Sequence, residues 1–274
     1  MKKQNWLWTL LTMFFIFGVA VFVRHSNVTA ASELPAGNEP PLIVQVQNIS
    51  PENVQEQLAL SEQVRALSDK WANTHQKAGW IHVVMHQTFD NDIENTRPDG
   101  QPAPNDFITE DWILLDGQGQ EVKGIFLQRS ISDEIIQVSV LKDKAWFNLT
   151  FGNIIPAPDN LIYTLDFGFP EVADRLKNEL KKTTENIKGK ELIKYSAEEK
   201  YTRPFKFLEF NNEVVSIDTQ AFYNEDGQVE LYQTIVNFQD GSQRKSSMVE
   251  VLTFEQVATP PAEILNYLDQ GMQK

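Results

Sequence analysis

Several groups of side chains in this sequence have the types and spacing that chemistry uses. His82 and His86 stand four apart, the separation of a zinc pair on a helix. The surrounding run, GWIHVVMHQTF, alternates with period two and therefore reads as a strand. Two rings so placed are about 13 Å apart, too far to share an ion whose ligands lie near ~2.1 Å. On a helix, the glutamate of a metalloprotease motif would be missing, because Val83 follows His82. His75 reads as a polar helix end. Asp90, Asp92 and Glu94 open like a calcium loop, but Asn95 stands where glycine is required and Gln101 where a bidentate acid belongs. Asp106, Glu110 and Asp111 could supply general acid and base groups, yet a chain with 38 acids forms such clusters without purpose. No nucleophile elbow, phosphate loop or dinucleotide fingerprint is present. No catalytic residue, metal site or cofactor is expected, and the chain reads as a non-enzyme.

The remaining signal is apolar. Ile81, Val83 and Met85; Ile125 and Leu127; Ile136, Val138 and Val140; and Phe147, Leu149 and Phe151 each recur at every second position. They read as one oily face of successive strands, the expected lining of a hydrophobic ligand site, where binding is non-directional burial at about 25 cal/mol per Å². Elements must position them. Ser50-Pro51-Glu52 signals a helix start, and Val54, Leu58, Val64, Leu67 and Trp71 form a stripe that runs as far as Gly79. Pro170 and Glu171, then Val172, Leu176 and Leu180, predict a middle helix ending near Gly189. FKFLEF, EVVSIDTQAFY, QVELYQTIVNF and SSMVEVLTFEQV predict a second meander, and TPPAEILNYL a short terminal helix. The fold expected is α+β: a curved antiparallel sheet of about ten strands in two meanders, an open or half β-barrel, with three helices packed on it. Such a sheet is nearly 50 Å wide if flat, and a helix covers about 10 Å. The uncovered face is either a cavity or a core closed by its own side chains.

The proline-capped first helix, the meander beginning GWIHV, the middle helix, the second meander with FYNEDGQVE, and the closing VLTFEQVATPPAEIL together resemble the bacterial lipoprotein-carrier superfamily of LolA-like carriers and RseB-like regulators. The similarity covers residues 51 to 268 in the order and spacing of elements. It implies an unclosed barrel, lidded by helices, that binds lipid acyl chains or lipidated polypeptides.

The termini and the charge set the context. Residues 6–23, WLWTLLTMFFIFGVAVFV, rise about 27 Å as a helix, near the ~30 Å of a bilayer core. Lys2 and Lys3 precede them and Arg24 follows. Residues 1–24 therefore read as a signal anchor, or as a signal peptide cut near Ala30, and both place the rest outside the cytoplasm. Residues 25–50, proline-rich and polar, read as a linker, and 51–274 as a single extracytoplasmic domain. Without cysteine the chain has no disulfide, thiolate or lipid-bearing thiol. The net charge is −14 and the three charges of the leader, Lys2, Lys3 and Arg24, are all basic, so the rest of the chain is more acidic still, repels phosphate backbones, and nucleic acid is not an expected partner. The expected partners are a hydrophobic ligand, or an envelope protein met by a packed domain through the long polar segment 90–106, with the membrane contacted through residues 6–23. A carboxylate-dependent hydrolase of envelope polymers is the third alternative.

Overall fold

The computed structural model describes residues 51–90, 104–157, 163–175, 179–206 and 212–270. The leader, the linker, most of the 90–106 connection and most of FKFLEF lie outside these residues. Among the described residues, no helix is long and apolar enough to cross a membrane.

Helix α1 spans Pro51–His75. Leu60, Val64, Leu67 and Trp71 recur at steps of four, three and four and carry it onto the core, while Leu58, expected in the same stripe, is 40% exposed at its edge. The first meander follows as β1 (Gly79–Phe89), β2 (Asp106–Leu115), β3 (Glu121–Ser130), β4 (Ile135–Lys142), β5 (Ala145–Asn148) and β6 (Ile154–Pro156). After the short helix α2 (Phe169–Ala173) comes the second: β7 (Glu179–Ile187), β8 (Lys190–Phe205), β9 (Val214–Tyr223), β10 (Val229–Phe238) and β11 (Gln243–Val257). Helix α3, Ala262–Gln270, ends the described chain.

All eleven strands form one antiparallel sheet in the order β6-β5-β4-β3-β2-β1-β11-β10-β9-β8-β7. Each meander keeps chain order, and the two join where β1 pairs with β11. The edge strands β6 and β7 do not meet, so the sheet stays open. It is the expected α+β architecture, with the three helices packed on a single sheet.

Local expectations are corrected in three places. The middle helix stops at Ala173, and Leu180 lies in β7 opposite Ala197 rather than on a helix. Thr183, Thr184 and Ile187 favour a strand there, and Lys188 and Gly189, both at positive φ, turn the chain into β8. The second meander thus begins at β7, well before FKFLEF. Residues 106–115, weighed for their acids, form a full strand, and AWFNLTFG leaves the sheet after Asn148.

Helix α1 is pinned to the sheet by polar contacts along its length. Gln57 bonds both backbone groups of Leu180, donating to its carbonyl at 3.1 Å and accepting from its N–H at 2.6 Å. Lys70 Nζ donates to the Glu225 carbonyl at 2.5 Å. Gln76 Nε2 donates to the Tyr163 carbonyl at 2.6 Å, and Gln256 to that of His75 at 3.2 Å. Between them Gly227, at φ +83, lets the β9–β10 turn press on the helix: a Cβ there would lie 2.1 Å from the Leu67 carbonyl oxygen.

Candidate functional site

The strand register decides where the expected lining goes. Residues directly opposite across an antiparallel pair share a face. Ile81 faces Ile113, which faces Gly124, which faces Leu141. Trp112, the neighbour of Ile113, faces Ile125, which faces Val140, which faces Phe147. Adjacent residues of a strand point to opposite faces, so the eleven residues expected on one face occupy two. Ile81, Val83 and Met85 lie under α1 with Trp71 and Val64. Ile125, Leu127, Val138 and Val140 lie under α3 with Ile264 and Leu268, and Phe147 and Leu149 pack against that cluster half-buried. Ile136 is buried two residues along β4 from Val138, and Phe151 is half-buried beyond the end of β5. Period two fixes alternation within a strand but carries no information about how neighbouring strands register.

On the α1 face, a core of aromatic and aliphatic side chains runs from Trp71 and Tyr163 through Phe169, Tyr195 and Tyr223 to Tyr232. Tyr223 and Tyr195 meet edge to face at 5.9 Å. Burial pushes the Tyr232 hydroxyl up to about 12 and that of Tyr223 well above its usual value. The apolar floor continues past the helices. Val214, Val236 and Phe238, with Tyr201, Phe205 and Ile217 packed on them, form a further cluster to which no helix residue belongs.

At the β7 edge, α1 and the end of α2 leave a cleft of about 200 Å³. Gln57, Leu58, Ser61 and Arg65 of α1 form one wall, and Ala173, Asp174, Arg175 and Leu180 the other. Asp174 accepts from Ser61 Oγ and from Arg65, whose Nε lies 3.0 Å from each carboxylate oxygen. Burial raises the Asp174 carboxyl, but the bonds from Arg65 and Ser61 outweigh it and hold the group below its usual value. The Arg175 side chain has no hydrogen bond or ion pair among the described residues. The sequence held only one trace of this cleft: Gln57, Ser61 and Arg65 repeat every four residues, a polar stripe beside the apolar one. Nothing local tied it to Asp174.

The α3 face carries a polar network beside its apolar cluster. The His82 ring stacks on Trp112 at 3.8 Å and 12°. Its Nδ1 lies 2.9 Å from Glu255 Oε1 and its Nε2 3.3 Å from Glu110 Oε1. Glu110 also accepts from Trp112 Nε1 at 2.9 Å and from Arg129 Nε at 3.2 Å. His86 pairs separately with Asp106 at 2.5 Å. The two histidines therefore serve different carboxylates, and His75 packs on Trp71 and Phe254. Asp111, opposite Val83, points to the α1 face, away from Glu110. Among the described residues, no group of three metal-ligating side chains converges.

Sequence reasoning also missed a polar belt on the α1 face of the first meander. Gln128, Gln137, Ser139 and Asn148 alternate with the apolar residues of their strands, and all are buried, with Ser139 1% exposed. Gln87 donates to Thr109 at 3.1 Å and Gln137 to Ser139 at 3.3 Å. Polar residues on an alternating strand give no sign of being covered.

No protein-family model matches the chain, and no curated protein matches its sequence. Among solved structures, the lipoprotein LppX of Mycobacterium tuberculosis is similar over 73% of this chain and 97% of its own, at 10% identity and a TM-score of 0.35. LprF from Mycobacterium bovis is similar over 73% and 98%, at 9% identity and a TM-score of 0.33. A LolA superfamily protein from Nitrosomonas europaea, of the superfamily named from the sequence, is similar over 72% and 94%, at 10% identity and a TM-score of 0.26. Likenesses this distant say nothing of a ligand.

Proposed function

We propose that this domain is a binding protein that holds a hydrophobic ligand between the sheet and helices α1 and α2, outside the cytoplasm and tethered through residues 6–23. The observation that carries the reading is the cleft at the β7 edge. There Leu58 is 40% exposed beside the buried Ala173 and Leu180, so an apolar mouth opens from solvent onto the margin of the core. The cleft is smaller than the roughly 300–1,000 Å³ of a typical small-molecule site. A ligand of acyl size is accommodated by α1 lifting from the edge, where the bonds from Gln57, Ser61 and Arg65 to Leu180 and Asp174 exchange alongside the buried Val64. Ile81, Val83 and Met85 then form part of the floor such a ligand reaches. We assign Ile125, Leu127, Ile136, Val138, Val140, Phe147, Leu149 and Phe151 to the docking of α3 and the closing of the first meander.

The test is direct. Full-length protein purified from membranes is extracted and the extract examined by mass spectrometry for a stoichiometric amphiphile, and binding of a fluorescent fatty acid is titrated. Leu58→Asp and Leu180→Asp are each expected to weaken that binding at least tenfold. Absence of any extracted amphiphile, together with no binding of the probe, overturns the proposal.

A second reading, an interaction domain meeting an envelope protein, is favoured by the β6 edge, which exposes Ile154 at 60% and Ile155 at 40%. It predicts that Ile154→Lys abolishes partner capture and leaves amphiphile binding unchanged.

A further inference from the structure

The charges that line the cleft do not balance, and the imbalance specifies a kind of ligand. Its ionisable side chains are Arg65, Asp174 and Arg175. Arg65 and Asp174 neutralise each other in a two-point contact, to which Ser61 adds a third bond. Arg175 is left over. Of the nearby acids, Glu179 engages Lys181 and Lys200, Asp166 engages Ser68 Oγ and the Gly168 N–H, and Glu171 faces the Arg65–Asp174 pair. Arg175 lines the cleft beside Leu58, Ala173 and Leu180. A chain of net charge −14 places here, against its general sign, an unpaired guanidinium beside an apolar slot.

We infer that the cleft selects an anionic amphiphile, with Arg175 taking a carboxylate or phosphate headgroup and Leu58, Ala173 and Leu180 taking the first part of the tail. This rests on the proposed binding function and narrows its ligand class. A guanidinium offers a planar pair of N–H donors that matches two oxygens of either headgroup, which a neutral ester or alcohol lacks. The Asp174 carboxylate next door is already filled by Arg65 and Ser61, so it does not compete for Arg175.

The experiment uses the full chain and two probes of equal tail, dansyl-aminoundecanoic acid and its methyl ester. The acid is expected to bind about ten- to a hundredfold more tightly than the ester, with the difference shrinking in high salt. Arg175→Gln is expected to bring the acid to the level of the ester while leaving the ester within about twofold, and Arg175→Lys to retain part of the preference. Competition by dodecanoate and by dodecyl phosphate then tells which headgroup is preferred. Since Arg175 is exposed, an unchanged denaturation midpoint serves as the folding control for each variant. Equal binding of acid and ester by the native chain, or a preference that survives Arg175→Gln, overturns the inference and leaves the binding function standing. Binding of neither probe overturns both.

Discussion

Gly227 and Gly241 form a matched pair that measures how firmly the sheet grips α1. Both close hairpin turns, at φ +83 and +81. Placing an L side chain in that left-handed region costs roughly 1–2 kcal/mol at either position. Their surroundings differ. A Cβ on Gly241 meets nothing within 4 Å, whereas one on Gly227 would lie 2.1 Å from the Leu67 carbonyl oxygen and 2.9 Å from its carbon. Relieving that overlap requires a shift of more than an ångström, by a turn already fixed by two N–H bonds to Asn224 Oδ1 or by the helix itself. Overpacking of this kind costs about 1–3 kcal/mol more. Gly241→Ala is therefore expected to lose about 1–2 kcal/mol and Gly227→Ala about 2–5 kcal/mol, read from guanidinium denaturation followed by tryptophan fluorescence, since Trp71 is on the buried face of α1. Equal losses within about 0.5 kcal/mol would refute the reasoning, because the turn would then not bear on the helix. Gly227→Ala is also expected to speed uptake of a fluorescent fatty acid in stopped flow, because α1 then lifts more readily.

Other outcomes follow from the same contacts. Gln57→Ala strands the outward N–H and C=O of Leu180 and is expected to cost about 1–3 kcal/mol, with faster hydrogen exchange at the β7 amides. Ile264→Ala and Leu268→Ala each remove a buried side chain from under α3 and are expected to cost about 2–5 kcal/mol without altering amphiphile affinity, measured in native conditions. The folded-state value of Asp174 is depressed, so its contribution is complete above the ordinary carboxylate value, near ~3.9, and is lost as pH falls through the lower, folded one. Asp174→Asn should accordingly lower stability at pH 7, with the gap to the native protein narrowing on further acidification in urea titrations at stepped pH.

The fold was legible wherever local pattern suffices. Alternation in GWIHVVMHQTF and in the segments of the second meander marked strands, and the proline-led starts marked the first and last helices. The middle helix misled because Pro170 and Glu171 do open a helix, and Leu176 and Leu180 happen to keep its spacing. β-branched Thr183 and Thr184 carried the contrary signal. The candidate site was far less legible. Placing Ile81 and Ile125 on opposite faces needs the register of β1, β2 and β3, which depends on the whole sheet rather than on any strand. The cleft needs Arg65 to meet Asp174, far apart in sequence and both unremarkable within it. Burial of Gln128 and Ser139 likewise follows from what covers them, and a strand of alternating polarity does not encode its cover.

The seam between β1 and β11, which runs from Trp80↔Val257 to Phe89↔Ser247, has a consequence for biosynthesis. Strand β1 leaves the ribosome long before β11, one of its two neighbours, because the whole of both meanders lies between them. Until then the first meander ends in an unsatisfied edge beside Ile81 and Val83, which invites wrong partners. Contacts this distant in the chain close slowly, so native topology is reached only after β11 has emerged. A polypeptide with that delay stays threadable through a translocation channel, and it is also the kind of substrate that depends on a holding chaperone while it waits.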